Sequence, residues 1–181
     1  MTKHLEIRLS GSGGQGLLLS ARILAQAFAS EGASVSQSQS YEPTSRGGLS
    51  RADLVIDGVR PDFPLAEKLD YLLVLHQCAA GASDEIINDD MTALIDSELV
   101  TEPPAGKFKV KALPLTRTAR EIGNVRIANI VALGALAGLS RMIDRERLED
   151  TVRKGVPPKF LDLNLEALEA GYRLAEESRD N

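Results

Sequence analysis

Cysteine is nearly absent from this chain: Cys78 is the single one among 181 residues, tryptophan is missing, histidine occurs twice, and the aromatic side chains are three Tyr and four Phe. A lone cysteine cannot close an internal disulfide, cannot supply the four thiolates of an iron–sulfur cluster and cannot build a Cys-rich zinc site. Any redox metal that serves this protein therefore belongs to another chain. Long apolar runs are also lacking. The longest, residues 127–139, contains Asn129 and falls short of the roughly 20 residues that span a bilayer, so no membrane span is expected. Basic runs are missing too, and the formal charge is −5, which argues against nucleic acid as the main partner, because neutralising phosphates needs a basic surface. Residues 1–6 are polar where a signal peptide would be apolar. With no disulfide framework, the expected compartment is the cytoplasm.

What remains is an ordinary globular composition, 43% hydrophobic and 26% charged, in a length suited to one domain spanning residues 1–181. Residues 4–9 alternate polar and apolar in the period of a strand and run into the glycine segment of residues 10–16. Residues 17–31 contain helix formers without Gly or Pro, and Gly32 is placed to stop that helix. Strand, glycine turn and helix form the first half of a βαβ unit. Further strands are expected at residues 33–38, 50–56, 71–75, 93–96 and 108–113, with 39–48 as a polar surface loop. Asp57-Gly58 is a type I′ hairpin signal leading into Val59-Arg60. The apolar run at residues 71–75 reads as a central strand covered by helices on both faces. Helices are expected within 79–88 and at 117–122, 126–140, 145–154 and 165–177. The pattern predicts an α/β fold: a three-layer domain with a mostly parallel, Rossmann-like sheet, one hairpin and added C-terminal helices.

Two segments stand out as candidate sites. Gly11, Gly13 and Gly16 satisfy G-x-G-x-x-G, with Gly14 and Gln15 between them, at a strand-to-helix junction where backbone N–H groups and the helix dipole favour an anion. Three roles are compatible with the segment: dinucleotide binding, binding of another phosphate-bearing group, or a tight turn whose glycines serve packing and an interface. The dinucleotide role expects a carboxylate at the end of the second strand, and none occurs before Glu42. Arg46, Gly47 and Gly48 place a guanidinium beside two flexible residues, able to grip a phosphate or carboxylate, or simply to sit exposed in a turn. His76 and Cys78 form a conceivable imidazole–thiolate pair, although a partly buried structural cysteine fits them better. His4 is expected at an exposed edge. The helix around residues 127–139 is apolar nearly all round and should be buried, inside this domain rather than against another subunit.

Four segments then occur in order: Gly11–Gly16, residues 41–48 (Tyr-Glu-Pro-Thr-Ser-Arg-Gly-Gly), residues 129–134 (Asn-Ile-Val-Ala-Leu-Gly) and residues 164–171 (Asn-Leu-Glu-Ala-Leu-Glu-Ala-Gly). Together they resemble the gamma subunit of the 2-oxoacid:ferredoxin oxidoreductases, over nearly the whole chain. One departure is visible, since members often carry Tyr-Gly-Pro-Glu where this chain has Tyr41-Glu42-Pro43-Thr44. The resemblance implies a non-autonomous subunit of an enzyme that converts a 2-oxo acid and coenzyme A to acyl-CoA and carbon dioxide, with electrons passing to ferredoxin. It implies thiamine diphosphate, magnesium and iron–sulfur clusters in alpha, beta and in some cases delta partner subunits, with no catalytic residue and no cofactor held by this chain alone. Gly11, Gly13, Gly14, Gln15, Gly16, Arg46, Gly47 and Gly48 then become residues that face coenzyme A or a partner chain. A stand-alone nucleotide-binding α/β domain is the alternative.

Overall fold

A computed structural model describes residues 4–42, 47–58 and 65–179. Six strands form one sheet: β1 (Leu5–Ser12), β2 (Ser34–Tyr41), β3 (Leu49–Asp57), β4 (Tyr71–Val74), β5 (Thr92–Asp96) and β6 (Lys109–Leu113), in the order β2-β3-β1-β4-β5-β6. The β1–β4, β4–β5 and β5–β6 pairs are parallel, whereas β3 runs antiparallel to both β1 and β2. The sheet is therefore mostly parallel with one reversed strand, as expected. The hairpin that reverses it joins β2 to β3, however, and is paired from Ser34↔Asp57 to Tyr41↔Ser50. The expected continuation through Val59-Arg60 lies outside the described residues. Gln39 to Tyr41, expected in a loop, extend β2. Period-2 alternation of Ser and Gln keeps this edge strand polar, a usual protection for an open edge.

Five helices follow: α1 (Leu17–Ser30), α2 (Leu115–Ile122), α3 (Ala128–Ser140), α4 (Arg145–Gly155) and α5 (Leu161–Glu177). All contribute to one core, which rests on Leu5, Ile7 and Leu9 of β1, Leu54 and Ile56 of β3, and Leu73 and Leu94 of the central strands. The opposite face carries Leu72, Val74, Ala93 and Ile95 and is covered by a smaller cluster including Leu69, Met91, Val100 and Phe108. This corrects one expectation. Among the described residues, the central strand has α-helices on one face only, and its other face is covered by turns and a 3₁₀ turn, Gln77–Ala79. No α-helix forms within 79–88: the backbone closes separate turns, Ala82 N–H to the Ala79 carbonyl and Ile86 N–H to the Ser83 carbonyl, while Arg51 and Arg8 donate to the Ala82 carbonyl at 3.0 Å and Ser83 Oγ at 3.3 Å. Tertiary contacts override helix propensity there.

Gly32 ends α1 as its position promised, with φ +86 and its N–H donated to the Ala29 carbonyl at 3.0 Å. Helix α3 is buried within this domain. It runs parallel to α5 with almost no room between the backbones: a Cβ at Gly134 would collide with the Leu168 carbonyl, one at Gly171 with the Val131 carbonyl, and one at Gly138 would stand 2.7 Å from Ala175 Cβ. Two of the four sequence motifs thus meet along this seam.

Candidate functional site

The glycine segment lies at the carboxyl end of β1, the edge where α/β sheets place ligands. β1 continues through Gly11 and Ser12, the chain turns at Gly13 to Gln15, and α1 starts at Leu17. Gly16 caps that helix with φ +74 and no side-chain hydrogen bond, a conformation that only glycine adopts without strain. The first bond inside α1 is Ser20 N–H to the Gly16 carbonyl at 3.2 Å, so the N–H groups of residues 17–19 precede the helical ladder. Its first turn carries no acidic residue. The result is an uncompensated positive helix end beside an exposed backbone turn.

Gln15 has a role that sequence could not show. Its Oε1 accepts the Ser12 N–H at 2.7 Å and its Nε2 donates to the Leu75 carbonyl at 3.0 Å, tying the end of β1 to the end of β4. A Cβ at Gly11 would collide with Gln15 Oε1. Gly11 therefore makes room for a side chain of its own turn, and the residues nearest the opening are Gly13 and Gly14, both exposed. The Gly13 N–H donates to the Gly48 carbonyl at 2.8 Å. The glycine turn and the Gly47-Gly48 element are in direct contact. Arg46 lies outside the described residues.

Asn129, which no spacing rule singled out as a site residue, holds this turn from the other side. It is buried, its Nδ2 donates to the Gly16 carbonyl and to Ser20 Oγ, both at 3.1 Å, and Ser20 Oγ donates back to the Asn129 carbonyl at 3.2 Å. The start of α3 is thereby locked to the start of α1. Three of the four motifs converge at one edge, and the third and fourth share the α3–α5 seam. The sequence signals for Asn129 are its polarity inside an otherwise apolar run and its place at the head of the third motif.

The dinucleotide reading loses its footing here. β3 lies between β1 and β2, so Glu42, just beyond β2, is two strand spacings from β1, roughly 10 Å. Its carboxylate accepts the Leu49 N–H at 3.2 Å. A ribose-binding acid would be needed on the strand beside β1.

His76 and Cys78 do not form a reactive pair. His76 Nδ1 accepts the Cys78 backbone N–H at 3.2 Å and caps the 3₁₀ turn. Cys78 is exposed, not partly buried as expected. Desolvation and the Glu42 carboxylate raise its thiol pKa, which disfavours the nucleophilic thiolate. His4 does occupy an exposed edge, where it bonds Glu6 and Asp57 at 3.1 Å each. The donor set does not fit the metal groups implied by the resemblance, since there is one cysteine and, among the described residues, no three His, Cys, Asp or Glu side chains converge. Among the described residues, no helix is long and apolar enough to cross a membrane.

Comparison with known proteins bears on the family and the fold. Residues 6–174 match the family described as pyruvate ferredoxin/flavodoxin oxidoreductase. The 2-oxoglutarate synthase subunit KorC of Archaeoglobus fulgidus is 35% identical over 175 residues, covering 96% of this chain and 89% of its own length. The ketoisovalerate oxidoreductase subunit VorA of Methanothermobacter thermautotrophicus is 33% identical over 97% of this chain, which corresponds to only 37% of that longer polypeptide. The crystal structure of a keto/oxoacid ferredoxin oxidoreductase gamma subunit from Geobacter sulfurreducens superimposes with a TM-score of 0.87 at 37% identity, covering 97% of this chain and 98% of that one. By sequence and by fold, the chain belongs to the pyruvate ferredoxin/flavodoxin oxidoreductase family.

Proposed function

We propose that this chain is the gamma subunit of a cytoplasmic, multi-subunit 2-oxoacid:ferredoxin oxidoreductase, which converts a 2-oxo acid and coenzyme A to acyl-CoA and carbon dioxide and passes the electrons to ferredoxin. The observation that carries this reading is end-to-end similarity to a separate KorC subunit and a separate gamma subunit, in a chain without its own cluster ligands. KorC likeness favours 2-oxoglutarate as the substrate. Alpha and beta subunits, with delta where present, hold thiamine diphosphate, magnesium and the iron–sulfur clusters. Decarboxylation chemistry is the thiamine cofactor's.

This chain's own contribution is assigned to the strand-end edge. Gly14 and the opening N–H groups of α1 offer donors to an anion, Gly13 fixes the turn through its bond to the Gly48 carbonyl, and Arg46 beside Gly47 and Gly48 supplies the charge; the phosphate-bearing portion of coenzyme A is the anion that fits. Gly11, Gln15 and Gly16 hold that edge in shape. The purified chain alone should neither turn over 2-oxo acids nor show iron–sulfur absorbance, and turnover by the isolated chain would overturn the reading. In the assembled enzyme, Arg46→Ala should raise the apparent KM for coenzyme A several-fold with little change in kcat. Unchanged kinetics would remove Arg46 from the site.

A further inference from the structure

Among the described residues, six large apolar side chains are exposed: Leu18, Tyr41, Leu65, Val110, Val125 and Phe160. Single exposed apolar residues are ordinary, but four of these six share one edge. Leu18 is the second residue of α1, directly after the glycine turn. Tyr41 ends β2 opposite Ser50, and Ser50 is in turn opposite Gly11, so Tyr41 stands in the same row of the sheet as the turn. Val125 opens the 3₁₀ turn that leads into α3, four residues before the Asn129 that grips Gly16. Phe160 immediately precedes α5, and because α5 runs parallel to α3, with Gly134 against Leu168 and Gly138 against Ala175, both helices start at this edge. In a chain with three Tyr and four Phe, two aromatic rings lie here, 69% and 43% exposed. Lys159 Nζ lies 4.7 Å over the Phe160 ring. Exposed aromatic anchors with a charged rim are the composition of a binding surface rather than of free solvent contact.

We infer that Leu18, Tyr41, Val125 and Phe160 form the docking surface for a separate partner subunit, the polypeptide corresponding to the part of VorA-type relatives that this chain does not cover. In VorA the equivalent of this domain is 37% of one continuous chain, so there it is covalently attached to the remainder. In the Archaeoglobus fulgidus KorC subunit and the Geobacter sulfurreducens gamma subunit the matching region makes up 89% and 98% of a separate polypeptide, and an interface held by covalent linkage in VorA must be held by surface contacts where the chains are separate. The clustered apolar edge supplies those contacts, and its position around the glycine turn sets the partner against the proposed coenzyme A site. The inference rests on the gamma-subunit reading.

The test is binding of the full chain to that partner subunit from the same organism, measured by analytical ultracentrifugation. Val125→Asp and Phe160→Ser should each weaken association at least tenfold, and together with Tyr41→Ser should abolish it. The control variants Leu65→Asp and Val110→Asp, exposed but away from the edge, should bind as the unaltered chain does. Because all these positions are exposed, the thermal midpoint of the isolated chain should not move. Equal affinity of edge variants and unaltered chain, or equal loss in the controls, overturns the surface while leaving the gamma-subunit reading intact. No association of the unaltered chain overturns both. A homodimer dissolved by the edge variants overturns the assigned occupant.

Discussion

At the scale of single residues, buried charge is the most exacting feature. Arg8 and Asp53 face each other in register and form a bidentate pair at 2.7 Å, with side chains 10% and 7% exposed. Removing one partner strands the other in a low dielectric, so Arg8→Ala should cost about 3–5 kcal/mol, whereas the double change Arg8→Met with Asp53→Leu should cost less than either single change. Denaturant unfolding of Arg8→Ala, of Arg8→Met and Asp53→Leu singly, and of the double variant checks this. His4 gives a pH signature. Its hydrogen bonds to Glu6 and then Asp57 raise its pKa above the ordinary value, so its contribution to stability is complete below pH 6.5 and fades as pH rises through the higher folded value. Unaltered protein should therefore melt above His4→Gln at pH 5.5 and converge with it by about pH 8.5. Gly16→Ala meets both a left-handed backbone and Asn129 Nδ2 at 2.7 Å, and a loss of about 1–3 kcal/mol is expected. Gly16 was legible as a residue of the glycine pattern. Asn129 was legible as the head of a motif but not as the residue that grips the turn, because its partners lie more than a hundred positions away in the chain and no local rule reports such a contact.

Elements divide in the same way. β1, α1 and the apolar strands β4 and β5 follow from local pattern, since alternation, helix formers and the Gly32 stop agree with the tertiary structure. The reversed strand does not. The continuation of the Asp57-Gly58 signal lies outside the described residues, and the hairpin that reverses β3 is the one before it, where pairing β2 with eight residues of β3 satisfies a polar strand that local signals undervalue. α2 shows the corresponding limit for caps. Its N-cap is Pro114, with no side-chain bond, and the cap comes from buried Asp96 at the end of β5, whose Oδ2 accepts the Thr116 N–H at 2.8 Å. Asp96→Ala should destabilise by about 1–3 kcal/mol, mainly by leaving helix donors unsatisfied. At the α3–α5 seam the prediction is harsher. Gly171→Ala drives a methyl into the Val131 carbonyl and to within 2.7 Å of the Ala135 N. Two packed backbones must separate, so this variant should unfold far below the temperature of the unaltered protein, or fail to accumulate folded.

For the whole molecule, the sequence motifs and the three-dimensional contacts describe the same object. The glycine turn touches Gly48 and Asn129, and the helix carrying Asn129 packs on the helix of the last motif, so four dispersed segments resolve into one edge and the seam that supports it. That edge carries an exposed glycine turn at a helix start and four exposed apolar side chains, and among the described residues no His, Cys, Asp or Glu side chains cluster to hold a metal. The most direct measurement is reduction of ferredoxin, dependent on 2-oxoglutarate and coenzyme A, by the partner subunits with and without this chain. Full turnover only when the chain is added is the predicted result; partner subunits that turn over at the full rate without it would contradict the account.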